Sequence, residues 1–366
     1  MIRPFNKDLD FPDSVKTRNR TDVLMNGHRF QADARSTFCN ACNLSMVNSF
    51  GIAAHYKSGV DIIITGDSTE EQAAYFAWVR HLSRGFGVNQ LDKAKGFGTF
   101  LKTLDSVAER YFSNLYGEHE ILSEHRVTFD IPCDPIFFNI YRDTSYQSGQ
   151  HWELLTEFLG FKFDKLMFSF SESDCGNPTL MAHLRGLRSE VLLGKGYEAG
   201  VKQYSEFAIG LMKKKAFPPE LINMILNRYA TSTAIKRQRK LAEKYAMDSF
   251  KLNTTNLICM IYSPFTQGGK NLINYLREQK IDCAALNIHS ALSDESESMT
   301  DTCLLLERLS GLTMKNLRYC YNKNLVPSIL EKQEIKDPMS LVLRHDPHKA
   351  VVQIENGASQ EIISGR

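Results

Sequence analysis

Residues 60–65 read VDIIIT, and residues 66–83 continue GDSTEEQAAYFAWVRHLS. The first run is short, apolar and β-branched, the pattern of a parallel strand buried on both faces. Gly66-Asp67-Ser68 turns the chain. Residues 69–83 then read as a helix with acids in its first turn, where the helix dipole favours negative charge. Upstream, residues 45–57 read as a helix closed by Ser58-Gly59, since a glycine just past a helix end adopts the left-handed cap at no steric cost. Helix, buried strand, glycine turn and helix predict an α/β fold with a doubly wound parallel sheet. In such sheets ligands sit outside the carboxyl ends of the strands.

Outward from this stretch, residues 97–116 and 179–193 read as helices, and residues 152–159 as a short one ending at Gly160. Residues 126–131 (RVTFDI) and 165–170 (KLMFSF) read as strands. From 196 to 250 the chain reads as helical and basic, with Lys213, Lys214, Lys215, Lys236, Arg237, Arg239 and Lys240. Residues 257–262 (LICMIY) and 282–288 (DCAALNI) read as strands around a turn (TQGGKN, 266–271) and a helix (272–279). Residues 297–312 read as a helix, and 341–363 as a small β-meander with turns near Pro347 and Gly357. The expected organisation is a polar N-terminal arm (1–36), an α/β domain (37–195), a basic helical region (196–255), an α/β segment (256–330) and a β tail (331–366).

Composition narrows the function classes. The chain has 366 residues, 43% hydrophobic and 23% charged, as in a globular protein with a sizeable core. Lys+Arg 44 against Asp+Glu 42 gives +2, so only local patches could select nucleic acid. No apolar run has the length of a membrane helix, and the N-terminal residues lack an apolar signal core. Eight cysteines in a chain this long are too sparse for a disulfide scaffold. The expectation is a cytoplasmic protein with reduced thiols and no membrane partner.

Several groups could carry chemistry. Cys39 and Cys42 form a CxxC pair, suited to a metal, an iron–sulfur cluster or a redox relay, or simply two structural thiols. A cluster needs at least one more thiolate; Cys175 and Cys133 are the candidates, and the sequence has no second CxxC to close a zinc site. Thr65, Gly66, Asp67 and Ser68, with Glu70 and Glu71 behind them, lie where a strand end meets a helix N-terminus. Backbone N–H groups there suit an anion and the acids suit a cation or ribose hydroxyl, although capping alone also explains the acids. Residues 171–178 (SESDCGNP) place Cys175 just before a helix, which lowers a thiol pKa; Asn177 and Pro178 read as N-cap and first helical residue, with His183 and Arg185 following. Gln267-Gly268-Gly269-Lys270 could cradle a phosphate through backbone N–H groups, or be an ordinary turn. It is not a Walker A motif. The basic helical stretch could grip an RNA or nucleotide backbone, although a solvated face is the commoner reason for such charge.

Cys39-Asn40-Ala41-Cys42, then residues 64–71 (ITGDSTEE), then a helix ending at Gly160 and a third cysteine at Cys175, resembles the second half of a PP-loop ATP pyrophosphatase domain. This superfamily of adenine-nucleotide α-hydrolase-like (HUP) domains includes tRNA thiolation enzymes, 7-cyano-7-deazaguanine synthases and amidotransferases. The likeness covers about residues 36–190. The family's S-G-G-x-D-S loop is absent from the residues before Cys39; Gln267-Gly268-Gly269-Lys270 is a distant echo of it. The resemblance implies ATP with Mg²⁺, adenylylation of a carbonyl or carboxylate oxygen, and displacement of AMP by a sulfur or nitrogen nucleophile. It implies Asp67 and Cys175 in catalysis, Thr65, Gly66, Asp67, Ser68, Glu71, Gly268, Gly269 and Lys270 at the nucleotide, and Cys39, Cys42 and Cys175 (or Cys133) on a cluster or zinc. The substrate would be a small molecule or tRNA. The absent loop leaves three arrangements open: a chain lacking its N-terminal portion, a partner chain supplying the loop, or a domain that has lost ATP hydrolysis and kept its fold for binding, as a non-catalytic subunit or metal-binding module that completes a partner's site. A homodimer is compatible with each. An unrelated α/β enzyme with Cys175 as nucleophile is the remaining alternative.

Overall fold

The computed structural model describes residues 13–39, 51, 54–55, 58–66, 69–88, 96–117, 126–127, 130–144, 152–162, 178–214, 217–293, 300–326, 338–344, 349–353 and 359–363. In chain order the elements are α1 (Asp13–Arg29), α2 (Ala34–Cys39), β1 (Ile62–Thr65), α3 (Thr69–Gly85), α4 (Gly96–Tyr116), β2 (Ile136–Asn139) and α5 (Ile140–Asp143). A π-helical turn (Leu154–Phe158) leads to α6 (Pro178–Val191), α7 (Tyr197–Lys214), α8 (Pro219–Arg228), α9 (Ser232–Phe250) and α10 (Thr254–Tyr262). A 3₁₀ turn (Gln267–Gly269) is followed by α11 (Leu272–Glu278), α12 (Ala285–Ser293), α13 (Asp301–Ser310), α14 (Met314–Tyr321) and α15 (Pro338–Arg344). A hairpin of β3 (Lys349–Gln353) and β4 (Ser359–Ile363) comes last. No helix among the described residues is long and apolar enough to cross a membrane.

The architecture corrects the expected doubly wound α/β sheet. Among the described residues the protein is mainly helical, and its parallel sheet has two strands, β1 and β2. The run at 257–262, read as a strand, lies in the helix α10, and that at 282–288 runs from coil into the first turn of α12, which begins at Ala285. A short apolar run cannot by itself distinguish a buried strand from a buried helix. Asn253 decides the first case. Its side chain accepts from the Asn256 N–H and the Asn256 side chain accepts from the Asn253 N–H, a reciprocal cap that starts a helix. The segment 126–131 also departs from the expected strand: Arg126 and Val127 are coil clamped onto α4. The expected strand at 165–170 lies outside the described residues.

The chain divides into two units. The first comprises Met1–Phe11, Asn40–Phe158 and Pro327–Arg366. Its core is the apolar face of α4, where Leu101, Leu104, Val107, Ala108, Tyr111, Phe112 and Leu115 are buried at helical spacing. α3 and α15 pack on α4, and Gly85 lets Leu341 sit against the end of α3: a Cβ there would lie 2.1 Å from the leucine side chain. Asp105 is buried on α4 and accepts from Arg126 Nε at 3.0 Å and from the Val127 N–H at 2.7 Å. Arg126 also reaches Glu109 at 2.8 Å. The hydrogen bond to Asp105 raises the Arg126 pKa above its ordinary value.

The second unit comprises Pro12–Cys39 and Leu159–Val326. Residues 13–29, part of the stretch read as an arm, form α1, and Val23, Leu24 and Met25 are in this unit's core. α6 is buried on nearly every side, and it begins at Pro178 as its sequence indicates. α7 folds back on α6 at close range. A Cβ on Gly200 would lie 2.1 Å from the Arg185 carbonyl oxygen, and one on Gly186 would lie 2.5 Å from the Tyr197 ring. The last carbonyls of α13 have no partner within their helix. Other elements supply them. Asn256 Nδ2 donates to Arg308 O and Leu309 O, both at 3.1 Å, His28 Nε2 lies 3.3 Å from Ser310 O, and Arg20 Nη1 donates to Gly311 O at 2.8 Å.

Candidate functional site

The candidate site is the carboxyl edge of β1 and β2. The strands pair in parallel with Ile62 beside Ile136, Ile63 beside Phe137, Ile64 beside Phe138 and Thr65 beside Asn139. Thr65 and Asn139 are thus last on their strands and adjacent. Asn139 is only 4% exposed, and its Nδ2 donates to Thr65 Oγ1 at 3.3 Å. Gly66 follows, and a Cβ there would meet nothing within 4 Å. α3 starts three residues later at Thr69. A buried amide, a part-exposed hydroxyl, an open backbone and a helix start therefore lie close in sequence and register where parallel strands release their ligands. Glu71 lies in the first turn of α3, and Asp67 and Ser68 lie outside the described residues.

The faces of the pair are unequal. Ile63 is 9% exposed, and its neighbour Phe137 meets Phe97 of α4 edge to face, ring centroids 4.9 Å apart. The other face holds Ile62, Ile136, Ile64 and Phe138, which are 57%, 70%, 66% and 42% exposed. The sequence reading of β1 as buried on both faces is corrected: one face is covered. The period-2 geometry sends alternate side chains to opposite faces, and α4 packs against one of them.

The expected thiol site is placed only in part. Cys39 ends α2 in the second unit, whereas Cys133 belongs to the first. Cys42 and Cys175 lie outside the described residues. Cys133 is exposed, its Sγ 3.8 Å from Val60 O and beside Gly59. It precedes β2 as Val60 precedes β1, so it marks the amino end of the strand pair. Val60 and Thr65 are separated by about 17 Å at a rise of ~3.3 Å per residue. Among the described residues no three His, Cys, Asp or Glu side chains gather as a metal site. Burial pushes the Cys259 and Cys320 thiols up to about 12, which disfavours the thiolate a metal requires.

The Gln267-Gly268-Gly269-Lys270 turn sits between α10 and α11, not between a strand and a helix, and belongs to the second unit. Gln267, Gly268 and Gly269 have φ of 53°, 61° and 82°. The Gln267 N–H donates to Lys323 O at 2.9 Å and the Gly269 N–H to Thr266 O at 3.0 Å. Gly269 packs on His289, whose Cε1 would be 2.7 Å from a Cβ. Its glycines thus serve a tight helix–helix turn, and Lys270 is exposed.

In the basic region, Arg239 is engaged by Glu190 at 3.1 Å and Glu243 at 3.2 Å and lies over the Tyr197 ring, 4.4 Å from its centroid. Lys236, Arg237 and Lys240 remain exposed on α9. A groove of about 560 Å³ opens between α7, α8 and α9, with Val201, Ile209, Ile225 and Ile235 at its base. Sequence reasoning missed this groove, because apolar positions on each helix read as core. It also missed Asn139; the apolar run 136–138 after Pro135 was the available signal.

No protein-family model, curated protein or solved structure matches this chain.

Proposed function

We propose that the chain binds ATP at the carboxyl edge of β1 and β2 and uses it in adenylyl activation of an acceptor. The pairing of buried Asn139 with Thr65 beside the open Gly66 backbone is the observation that carries this reading. A buried amide at a strand end supplies a fixed donor and acceptor, and a glycine admits a phosphate or ribose close to the main chain. In the proposed reaction an acceptor oxygen attacks the α-phosphorus of ATP and pyrophosphate leaves. A sulfur or nitrogen nucleophile then attacks the activated carbon, and AMP leaves. The cysteine pair and the T-G-D run that resemble PP-loop enzymes support the reaction class. No step is routed through a metal cluster, because Cys133 at the opposite end of the strands does not fit one with this site.

Titration calorimetry with Mg-ATP tests the reading on wild type, Asn139→Ala and Gly66→Val. We expect saturable binding to wild type, weakened at least tenfold by Gly66→Val, whose side chain fills the approach. Absence of ATP binding, or equal affinity in all three proteins, would sink it.

A further inference from the structure

We infer that the exposed face of α9 is a docking surface for the phosphate backbone of a nucleic acid. Lys236, Arg237, Lys240 and Lys244 are all exposed on this helix. At about 100° of turn per residue they share an arc roughly 100° wide, and they span about 12 Å of helix axis. The opposite face carries Ile235, Ala242, Ala246 and Phe250 into the core of the second unit. The whole chain has a formal charge of +2, yet this arc sets its four cations against one acid, Asp248, which bonds Lys244. Arg239 lies off the arc and is already held by Glu190 and Glu243.

The signs on the arc select an anion. A helix face that meets only water gains from opposite charges four residues apart, as with Lys202 and Glu206 on α7. Lys236, Lys240 and Lys244 instead repeat one sign at both four-residue steps, which costs helix stability. A regular row of negative charge removes that repulsion. One strand of a nucleic acid carries a phosphate about every 3.4 Å along its axis, so the arc faces three or four of them. Thr233 and Met247 complete the arc, which presents no aromatic ring to stack on a base. Contact is therefore with phosphates and independent of base sequence. An anionic membrane fits less well, because a membrane-lying helix inserts its apolar face and that of α9 is buried within its own unit. Docking on α9 involves the second unit and is independent of ATP binding at β1 and β2.

Fluorescence anisotropy of the full chain without ATP tests it, from about 50 to 300 mM NaCl. The probes are labelled oligomers of roughly 20 nucleotides: single-stranded RNA, duplex RNA and duplex DNA. Wild type should bind, with log affinity falling against log salt at a slope of about −3, or −0.7 to −0.9 for each phosphate neutralised. The probe bound most tightly identifies the nucleic acid. Replacing Lys236, Lys240 and Lys244 together by Gln should weaken binding at least tenfold with unchanged circular dichroism, and Lys240→Gln alone should reduce the slope by about one. Lys202→Gln, at an exposed position of α7, should bind as wild type does. Absence of binding to all three probes at the lowest salt would overturn the inference. So would a triple variant that binds as tightly as wild type, an equal loss in Lys202→Gln, or binding to phosphatidylserine vesicles or poly-glutamate but to no nucleic acid.

Discussion

The Tyr197 hydroxyl lies 2.8 Å from His183 Nδ1, joining the first turn of α7 to the middle of α6 inside the second unit. The same tyrosine ring rests on Gly186 and carries Arg239 on its face. Tyr197→Phe keeps the ring and removes the partner of a buried histidine nitrogen. We expect a loss of about 1–3 kcal/mol in urea unfolding, the cost of a buried polar group left unpaired. A phenylalanine variant as stable as wild type would mean that the hydroxyl contributes nothing.

His183 and His28 together set an acid limit on stability. Burial, and secondarily Arg239, pushes His183 down to about 3, and burial pushes His28 down to about 4. The unfolded chain takes up both protons as pH falls through about 6.5, whereas the folded chain does not until pH approaches 4 and 3. Stability from these groups is therefore complete above about pH 6.5 and declines as pH falls below it. The slope is ~1.4 kcal/mol per pH unit for each ring. Urea midpoints at pH 7.5 and 5 check this, and an unchanged midpoint would contradict two buried neutral imidazoles.

Two glycines on α7 should respond oppositely to alanine. Gly200 faces the Arg185 carbonyl at a distance no Cβ tolerates, while Gly210 has nothing within 4 Å of its Cβ position. Gly200→Ala should force the helices apart and destabilise by about 3 kcal/mol or more. Gly210→Ala should stabilise by roughly 0.5–1 kcal/mol, because alanine loses less backbone entropy in a helix. Thermal melts of the pair decide it; a Gly200→Ala variant as stable as wild type would show that α6 and α7 do not approach this closely.

In the first unit, Asp105→Ala removes the acceptor for both Arg126 and the Val127 N–H. Breaking a largely buried ion pair by deleting one partner costs about 3–5 kcal/mol. We expect that loss for Asp105→Ala and a smaller one for Arg126→Met, since Arg126 is partly exposed. Hydrogen exchange at Val127 should accelerate in the alanine variant; protection equal to wild type would rule out the clamp.

What the sequence revealed follows from where its physics is local. The helix Gly96–Tyr116 was legible because Leu101, Leu104, Ala108 and Leu115 repeat at helical spacing against one core face. β1 was legible from its β-branched run, and Thr65 and Gly66 from the strand–glycine–helix order. α10 was misread because LICMIY carries no periodicity, and its helix depends on the Asn253–Asn256 cap. α1 escaped notice for another reason. Its buried face includes Asn26, His28 and Arg29, and Arg20 and His28 meet carbonyl groups that lie far along the chain. Asn139 could not be tied to Thr65 before the register of β1 and β2 was known.

The caps on α13 also impose an order on synthesis. Arg20 and Gly311 are 291 positions apart, and the first unit's central segment, Asn40–Phe158, is inserted between the two parts of the second. At ~5–20 residues per second, α1 leaves the ribosome about 15–60 s before the carbonyls it caps. Throughout that interval Val23, Leu24 and Met25 have no completed core to enter. Chaperone occupancy of the nascent N-terminal segment should therefore persist until translation passes Val326.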